Sequence, residues 1–441
     1  MIATEYCKNV FDGTHDSPKF LDNGYLLVTS KNIANRELDL TGANFISEED
    51  YNKINERSKV HQWDIFFSMI GTVGNVFLQT EKEVNYAIKN MGVFSCENED
   101  KAKWLYYYLQ SPYFKKLMNS LLSGAVQKFV PLGFLRSIDI PKYDDNKKAI
   151  VKFLSSLDDK ITLNNRINAK LEQMAKRLYD YWFVQFDFPV SCHSELVSES
   201  HSDEMLNQVQ HDECAKPYKS NGGKMVWNEE LKREIPERWE VKKLGTLFTT
   251  NRGVSYSTKT ISGDKGIPMI NLASFSPDGS YKIDGIKIYT GEYTEGKVLK
   301  PFDLVMCNTQ QTAIDFSKDI IGKALLVPDI FEGDITSSHH VNTLKTQNEK
   351  LKFYLYRLFN TDYFHAYISH YASGTNIMGL DFDGVENYSA VIPSKEVLSK
   401  FADFTLNIEK MKSEIIRQNK KLISLRDRLL PLLMNGQVEV R

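Results

Sequence analysis

The sequence predicts an α+β protein in which one mixed domain is used twice, each copy followed by a long helix that packs on the other. Three observations predict it. Segments recur at offsets near 250, short β-type runs precede a helical stretch in each copy, and the apolar spacing then switches to threes and fours.

The repeat comes first. Leu109–Phe114 (LQSPYF) aligns with Phe359–Phe364 (FNTDYF) at an offset of 250, which also carries Ser123-Gly124 onto Ser373-Gly374. Ile140-Pro141 falls on Ile392-Pro393, and upstream Trp63-Asp64-Ile65 answers Phe302-Asp303-Leu304. Gly24–Ser30 (GYLLVTS) answers Gly266–Leu272 (GIPMINL) at 242, so the copies differ by insertions. β-type runs are expected at Tyr25–Val28, Ile65–Ser68, Met269–Asn271 and Leu304–Cys307, with helical stretches around 102–122 and 349–371.

The helices follow. In the first, apolar residues fall at Ile150, Phe153, Leu157, Ile161, Leu171, Met174 and Leu178, with Asn164 and Asn168 filling the missing steps. In the second they fall at Phe401, Phe404, Ile408, Met411, Ile415, Leu422, Leu425 and Leu429, with Asn419 in the gap. A surface helix on its own domain would show such a stripe too. Two matching helices far longer than the usual dozen residues favour a helix-on-helix seam, in which a buried Asn fixes register. The expected divisions are 1–141, first domain; 142–188, first helix; 189–237, linker with a low-complexity insert; 238–394, second domain; and 395–436, second helix. Trp182, Phe183, Leu430, Leu432 and Leu433 at the helix ends either close the rod's own apolar cap or dock partners.

Length and composition agree with this plan. At roughly 150 residues per domain, 441 residues make two or three folding units. With 42% hydrophobic and 25% charged residues the chain is of ordinary globular composition, which excludes wholesale disorder. No apolar run approaches the roughly 18 residues of a membrane-spanning helix, and the N-terminus lacks a signal-peptide pattern. Five scattered Cys (7, 96, 192, 214, 307) suit a reducing interior, so a cytoplasmic location is expected. The net charge of −2 announces no nucleic acid, but phosphate contacts need a basic stripe rather than a basic total.

Familiar catalytic patterns are absent. Gly322-Lys323 lacks the upstream glycine of a phosphate loop, and GxGxxG, HExxH, GxSxG and the Asn/Asp-Pro-Pro-Tyr tetrapeptide of amino-methyltransferases do not occur. Cys192, His193, His201, His211 and Cys214 crowd the linker at irregular spacing, which reads as a solvated segment before it reads as zinc. The His339-His340 pair reads likewise as a polar loop, so neither a catalytic nor a metal site is expected.

At this point the chain resembles the specificity (S) subunit of type I restriction–modification systems. The likeness rests on Asp12–Lys19 (DGTHDSPK), Ser68–Asn75 (SMIGTVGN), Gly222–Trp227 (GGKMVW) with Ile235–Gly245 (IPERWEVKKLG), and Leu425–Gly436 (LRDRLLPLLMNG). The second domain is introduced by Trp239–Gly245, whereas the first starts almost at Met1 without that lead-in. The resemblance implies two target recognition domains, each reading half of a split, asymmetric double-stranded DNA site. It implies long helices packed as an antiparallel coiled coil, with pseudo-two-fold symmetry. It also implies no activity or cofactor in this chain. Two modification (methyltransferase) subunits would supply S-adenosylmethionine and adenine methylation, and restriction (translocase/nuclease) subunits would supply ATP- and Mg-dependent chemistry. Two other readings remain: a self-sufficient enzyme using the linker Cys/His, and a coiled-coil adaptor with two protein-binding domains and no DNA.

Base edges require paired donors and acceptors, and phosphates require hydroxyls, backbone N–H and Lys or Arg. The expected readers in the first domain are Thr14, His15, Asp16, Ser17, Lys19, Ser30, Lys31, Asn32, Ser68, Thr72, Asn75, Gly124, Gln127 and Lys128. In the second they are Arg252, Tyr256, Lys259, Asn308, Thr309, Gln310, Gln311, Ser338, His339, Gly374, Thr375 and Asn376. The expected seam is Phe153, Leu157, Ile161, Asn168, Leu171 and Leu178 against Ile408, Met411, Ile415, Asn419, Leu422 and Leu429. Any one of these polar residues alone reads as plain surface, so the expectation concerns the loops as sets.

Overall fold

The computed structural model describes residues 1–34, 36–122, 129–191, 215–261, 265–311 and 319–440. They form two units, Met1–Leu163 with Asn419–Arg441, and Asn164–Gln418. No helix among them is long and apolar enough to cross a membrane.

The first unit has strands β1 (Asn9–Asp12), β2 (Tyr25–Val28), β3 (Asn44–Ile46), β4 (Asp64–Ser68), β5 (Val76–Leu78), β6 (Tyr86–Ile88) and β7 (Met91–Ser95). An antiparallel sheet runs β1-β7-β4-β5, and a mixed sheet runs β3-β2-β6 with β2 and β6 parallel. Strand β4 is buried throughout because its two faces serve two cores. Ile65 and Phe67 join one, and Phe66 between them joins the other, as a period of two requires. Helix α1 (Glu48–Ser58) starts where the Ser47 hydroxyl accepts from Asp50 N, followed by acids in its first turn. The stretch expected as one helix near 102–122 is two, α2 (Glu99–Tyr108) and α3 (Pro112–Leu122), because Ser111 breaks the first and takes the Phe114 N–H.

The second unit repeats this topology. Its strands are β8 (Phe248–Arg252), β9 (Ile267–Ile270), β10 (Lys287–Tyr289), β11 (Leu304–Cys307), β12 (Thr309–Gln311), β13 (Ala324–Leu326), β14 (Thr336–Ser337), β15 (Val341–Thr346), β16 (Ala372–Ser373) and β17 (Ile377–Leu380). The antiparallel sheet is β8-β15-β11-β13, the mixed sheet is β10-β9-β14 with β9 and β14 parallel, and a third sheet runs β12-β17-β16. Even a left-handed residue recurs, Trp63 at φ 71° and Phe302 at φ 65°.

The long helices are α4 (Asp145–Tyr179) and, after α5 (Leu351–Phe359) and α6 (Asp362–Ser369), α7 (Lys395–Met434). Thr361 separates α5 from α6 as Ser111 separates α2 from α3, its hydroxyl taking the Phe364 N–H. In the first unit Ile150, Leu154 and Val151 share a core with Leu430 and Leu433. In the second, Leu171 and Ala175 pack with Ile408, while Tyr179 meets Phe401 at 6.2 Å between ring centroids. Glu172 reaches Lys412 and Tyr179 reaches Phe401, so α4 and α7 run antiparallel.

The seam corrects part of the sequence reading. Leu157, Leu171 and Ile408 are buried, and Phe153, Ile161, Asn168, Leu178, Ile415, Asn419, Leu422 and Leu429 are half-buried. Met174 and Met411 are 46% and 52% exposed, whereas their neighbours Ala175 (0% exposed) and Lys412 turn inward. The apolar scan slid onto the wrong residue because several seam positions are polar: Thr405, Ser413 and Arg426 are buried. Trp182 and Phe183 sit in the second unit's core, and Leu430 and Leu433 in the first's, so these helix ends close their own caps.

Two further segments differ from expectation. Residues 215–237, assigned to the linker, contain the hairpin Met225–Asn228/Arg233–Pro236, and Ala215–Pro217 pairs with Pro189–Ser191. Phe186, Phe188 and Trp239 pin this region by aromatic contacts of 4.8–5.5 Å. At the N-terminus, the Ala3 N–H bonds Ile138 O and the Ile140 N–H bonds Met1 O. That pairing is the counterpart of Glu240–Lys243 against Ser389–Ile392, so the first domain does have a lead-in strand contact.

Charge joins helix to domain in each unit. In the second, Arg357 on α5 lies against Glu172 on α4 and Glu409 on α7, with Lys412 2.6 Å from Glu172. Burial alone would raise the Glu172 carboxyl, but Arg357 and Lys412 overcome it and hold it at about 2. A carboxylate with a lowered folded pKa contributes stability that is full above its unfolded value, about 4.3, and lost as pH falls towards 2. The urea midpoint should therefore drop between pH 5 and pH 2.5, and Glu172→Gln should remove part of that drop. Equal slopes in the two proteins would refute the assignment.

Candidate nucleic-acid interface

In each unit three chain segments leave the sheets at one edge. In the first they follow β1, β2 and β6; in the second, β8, β9 and β14. A glycine permits their convergence. A Cβ on Gly13 would stand 2.5 Å from Ile88 O, and one on Gly253 would stand 2.2 Å from Ser337 O and 2.3 Å from Ser338 O. The next residues form matching parallel bridges, Thr14 with Lys89 and Val254 with Ser338.

In the first unit, the Thr14 hydroxyl accepts from Asp16 N and the Lys89 ammonium donates to Ser17 Oγ at 2.6 Å, which shapes the exposed 15–19 loop. His15 lies between Asp12 Oδ2 (2.9 Å) and Asn90 Oδ1 (2.8 Å), and Arg57 donates to Asp12 Oδ1 at 2.9 Å. Beside β2, the short helix Ser30–Asn32 meets the β4–β5 turn: Thr72 Oγ1 donates to Ser30 O and Asn75 Nδ2 to Ile33 O. The structure thus joins the Ser30–Asn32 and Ser68–Asn75 sets and leaves Lys19 and Lys31 exposed.

In the second unit, Arg252 Nε donates to His339 O at 2.8 Å, Asn308 Nδ2 to Asn342 Oδ1 at 2.7 Å, and Thr309 Oγ1 pairs with His340 Nδ1 at 2.7 Å. Tyr256 faces both imidazoles at centroid distances of 5.5 and 6.2 Å. The Gly374–Asn376 turn joins β16 to β17, which pairs with β12, so this exposed turn shares a sheet with Thr309–Gln311. Lys259 lies in an exposed short helix, Thr258–Thr260.

Six expected readers are corrected. Thr14 is 9% exposed with its hydroxyl accepting from Asp16 N, and Asn308 is 7% exposed with its amide donated to His339 O and Asn342 Oδ1. Asn32 is 6% exposed, its oxygen taken by Thr29 and its amide by Asp39 O, so it braces its own turn. Ser68 and Ser338 are fully buried, and Gln310 is 3% exposed with its carbonyl on Ile320 N. These side chains shape loops and have no free approach to a base edge. Gly124, Gln127 and Lys128, the Gln311 side chain and the linker Cys/His residues lie outside the described residues. Among those described, no cluster of three metal-ligating side chains occurs.

Residue-by-residue inspection missed Asp12, Arg57, Lys89 and Asn90 in the first unit and Lys287, Lys297 and Asn342 in the second. The repeat itself held a signal for some of them, since an offset of 249 places Lys89-Asn90 on Ser338-His339.

Comparison with known proteins follows the same direction. Residues 15–173 match the family described as the type I restriction modification DNA specificity domain. The specificity subunit of the type I restriction enzyme HindI from Haemophilus influenzae is 26% identical over 421 residues, covering 87% of this chain and 88% of that protein. The MjaIX specificity subunit from Methanocaldococcus jannaschii is 22% identical over 346 residues, covering 77% and 69%. Among solved structures, the S subunit of a type I restriction–modification system from M. genitalium superposes with a TM-score of 0.50 at 12% identity, over 98% of this chain and 95% of that one, a likeness of fold.

Proposed function

We propose, from the premise that this chain belongs to the type I restriction–modification specificity subunits, that it reads a bipartite, asymmetric DNA site, one half per unit. The observation that carries the reading is a duplicated loop framework bearing different side chains. The Gly13 and Gly253 contacts match, but the groups above them are His15, Lys89 and Asn90 in one copy and Arg252, Tyr256 and Thr309 in the other. A conserved frame with exchanged donors suits two different half-sites. Exposed Lys19, Lys31 and Lys259 suit the phosphates that position a reader without specifying sequence.

The chain recognises and partner subunits act. It recruits modification subunits that hold S-adenosylmethionine and restriction subunits that hold ATP and Mg. Its own residues position the DNA. Replacing residues 1–141 by the matching domain of another specificity subunit should change one half of the methylated sequence and leave the other intact, as read by methylome sequencing. An unchanged motif refutes the reading, and an assembly that binds no DNA at moderate salt favours the protein-adaptor alternative.

A further inference from the structure

The second unit gathers cations where the first neutralises them. The His339 and His340 rings lie with centroids 3.8 Å apart, tilted by 41°. Arg252 on β8 bonds the His339 carbonyl, Tyr256 flanks both rings from the loop after β8, and Lys287 on β10 stands 5.3 Å over the Tyr256 ring. Lys297 reaches Asn251 Oδ1 at 2.9 Å and also the Arg252 carbonyl. Among the described residues, none of Arg252, Lys287 and Lys297 forms an ion pair with a carboxylate. His339 Nδ1 is shielded from solvent and has no hydrogen-bond partner. In the first unit, by contrast, Asp12 already holds both His15 and Arg57.

We propose that His339 and His340 form a proton-coupled seat for a DNA backbone phosphate, so that engaging the half-site read by the second unit takes up protons. This rests on the DNA-reading assignment above. Two adjacent imidazoles beside Arg252 and Lys287 resist charging in the absence of an anion; burial, then Arg252 for His339 and the neighbouring ring for His340, keep both below the ordinary histidine value. A phosphate is the group a DNA reader meets at every step, and its charge reverses that balance by stabilising the imidazolium and its charge-assisted hydrogen bonds. The sign follows. Affinity is highest at low pH and falls as pH rises through the bound-state pKa.

The test uses the full-length chain with its methyltransferase subunit and a fluorescein-labelled duplex carrying the site methylated in the host. Between pH 6 and pH 8 the unaltered protein should lose about tenfold to a hundredfold in affinity, for a mean uptake of roughly half to one proton over that range. The double variant His339→Asn/His340→Asn should lose less than about threefold. Calorimetry of the unaltered protein in two buffers of different ionisation enthalpy reads the protons directly and needs no variant. A proton count of zero, or an unchanged slope in the double variant, overturns the seat. Proton uptake driven by micromolar inorganic phosphate without duplex would assign it to free phosphate and overturn the DNA assignment. If the unaltered assembly binds no duplex at any pH, the DNA-reading assignment itself fails.

Discussion

Replacing Arg357 by Met should destabilise the second unit by about 3–5 kcal/mol, the range for removing one partner from a buried ion pair. Arg357 is 5% exposed and stands opposite two carboxylates, Glu172 and Glu409, with Lys412 completing a neutral set of two cations and two anions. Removing one cation leaves a net negative charge where water cannot relax it. The loss should appear as a fall of about 10 °C in melting temperature, at the few degrees per kcal/mol expected of a unit this size. Adding Glu409→Gln restores the charge balance, so the double variant should be more stable than the sum of the single losses predicts. Strict additivity would mean that Arg357 acts through packing alone.

The same cluster explains what the sequence made legible. The repeat, the two helices and their pairing followed from identity at fixed offsets and from apolar spacing, because those patterns are imposed by burial along the whole element. The register did not follow, because part of it is set by charge. Tyr107 and Arg357 are equivalent at an offset of 250, and Asp158 and Glu409 at 251. One pair is a phenol on a carboxylate at 2.6 Å and the other a guanidinium on a carboxylate. No apolar scan sees such pairs, and it therefore chose Met174 and Met411, which face solvent, over Ala175 and Lys412. The reader loops were legible as sets for a similar reason. Glycine and polar residues mark where strands end, but which hydroxyl or amide is spent on the loop depends on how the loop folds back on itself, as Asn32 on Asp39 O and Gln310 on Ile320 N show.

Gly253→Ala should impair recognition of one half-site by about a hundredfold while leaving the other untouched. The added methyl would lie 2.2 and 2.3 Å from the carbonyl oxygens of Ser337 and Ser338, and backbone cannot rotate away as a flexible side chain can. The strand ends must separate, at the 1–3 kcal/mol typical of inserted methyl groups. The displaced elements are those that carry Arg252 on one side and His339 on the other, joined by the 2.8 Å bond from Arg252 Nε to His339 O and by backbone bonds from Val254 N to Ser337 O and from His339 N to Val254 O. A shift of even half an ångström there disrupts readout more than it disrupts folding, since paired hydrogen bonds to a base edge are worth about 1–3 kcal/mol each and depend on alignment. Gly13→Ala should do the same to the other half, with a smaller displacement, because its nearest contact is 2.5 Å. Duplexes altered in one half at a time measure the two affinities separately. If Gly253→Ala lowered the melting temperature but left both half-site preferences intact, the edge of the sheets would be a structural junction and the readers would have to lie elsewhere in the unit.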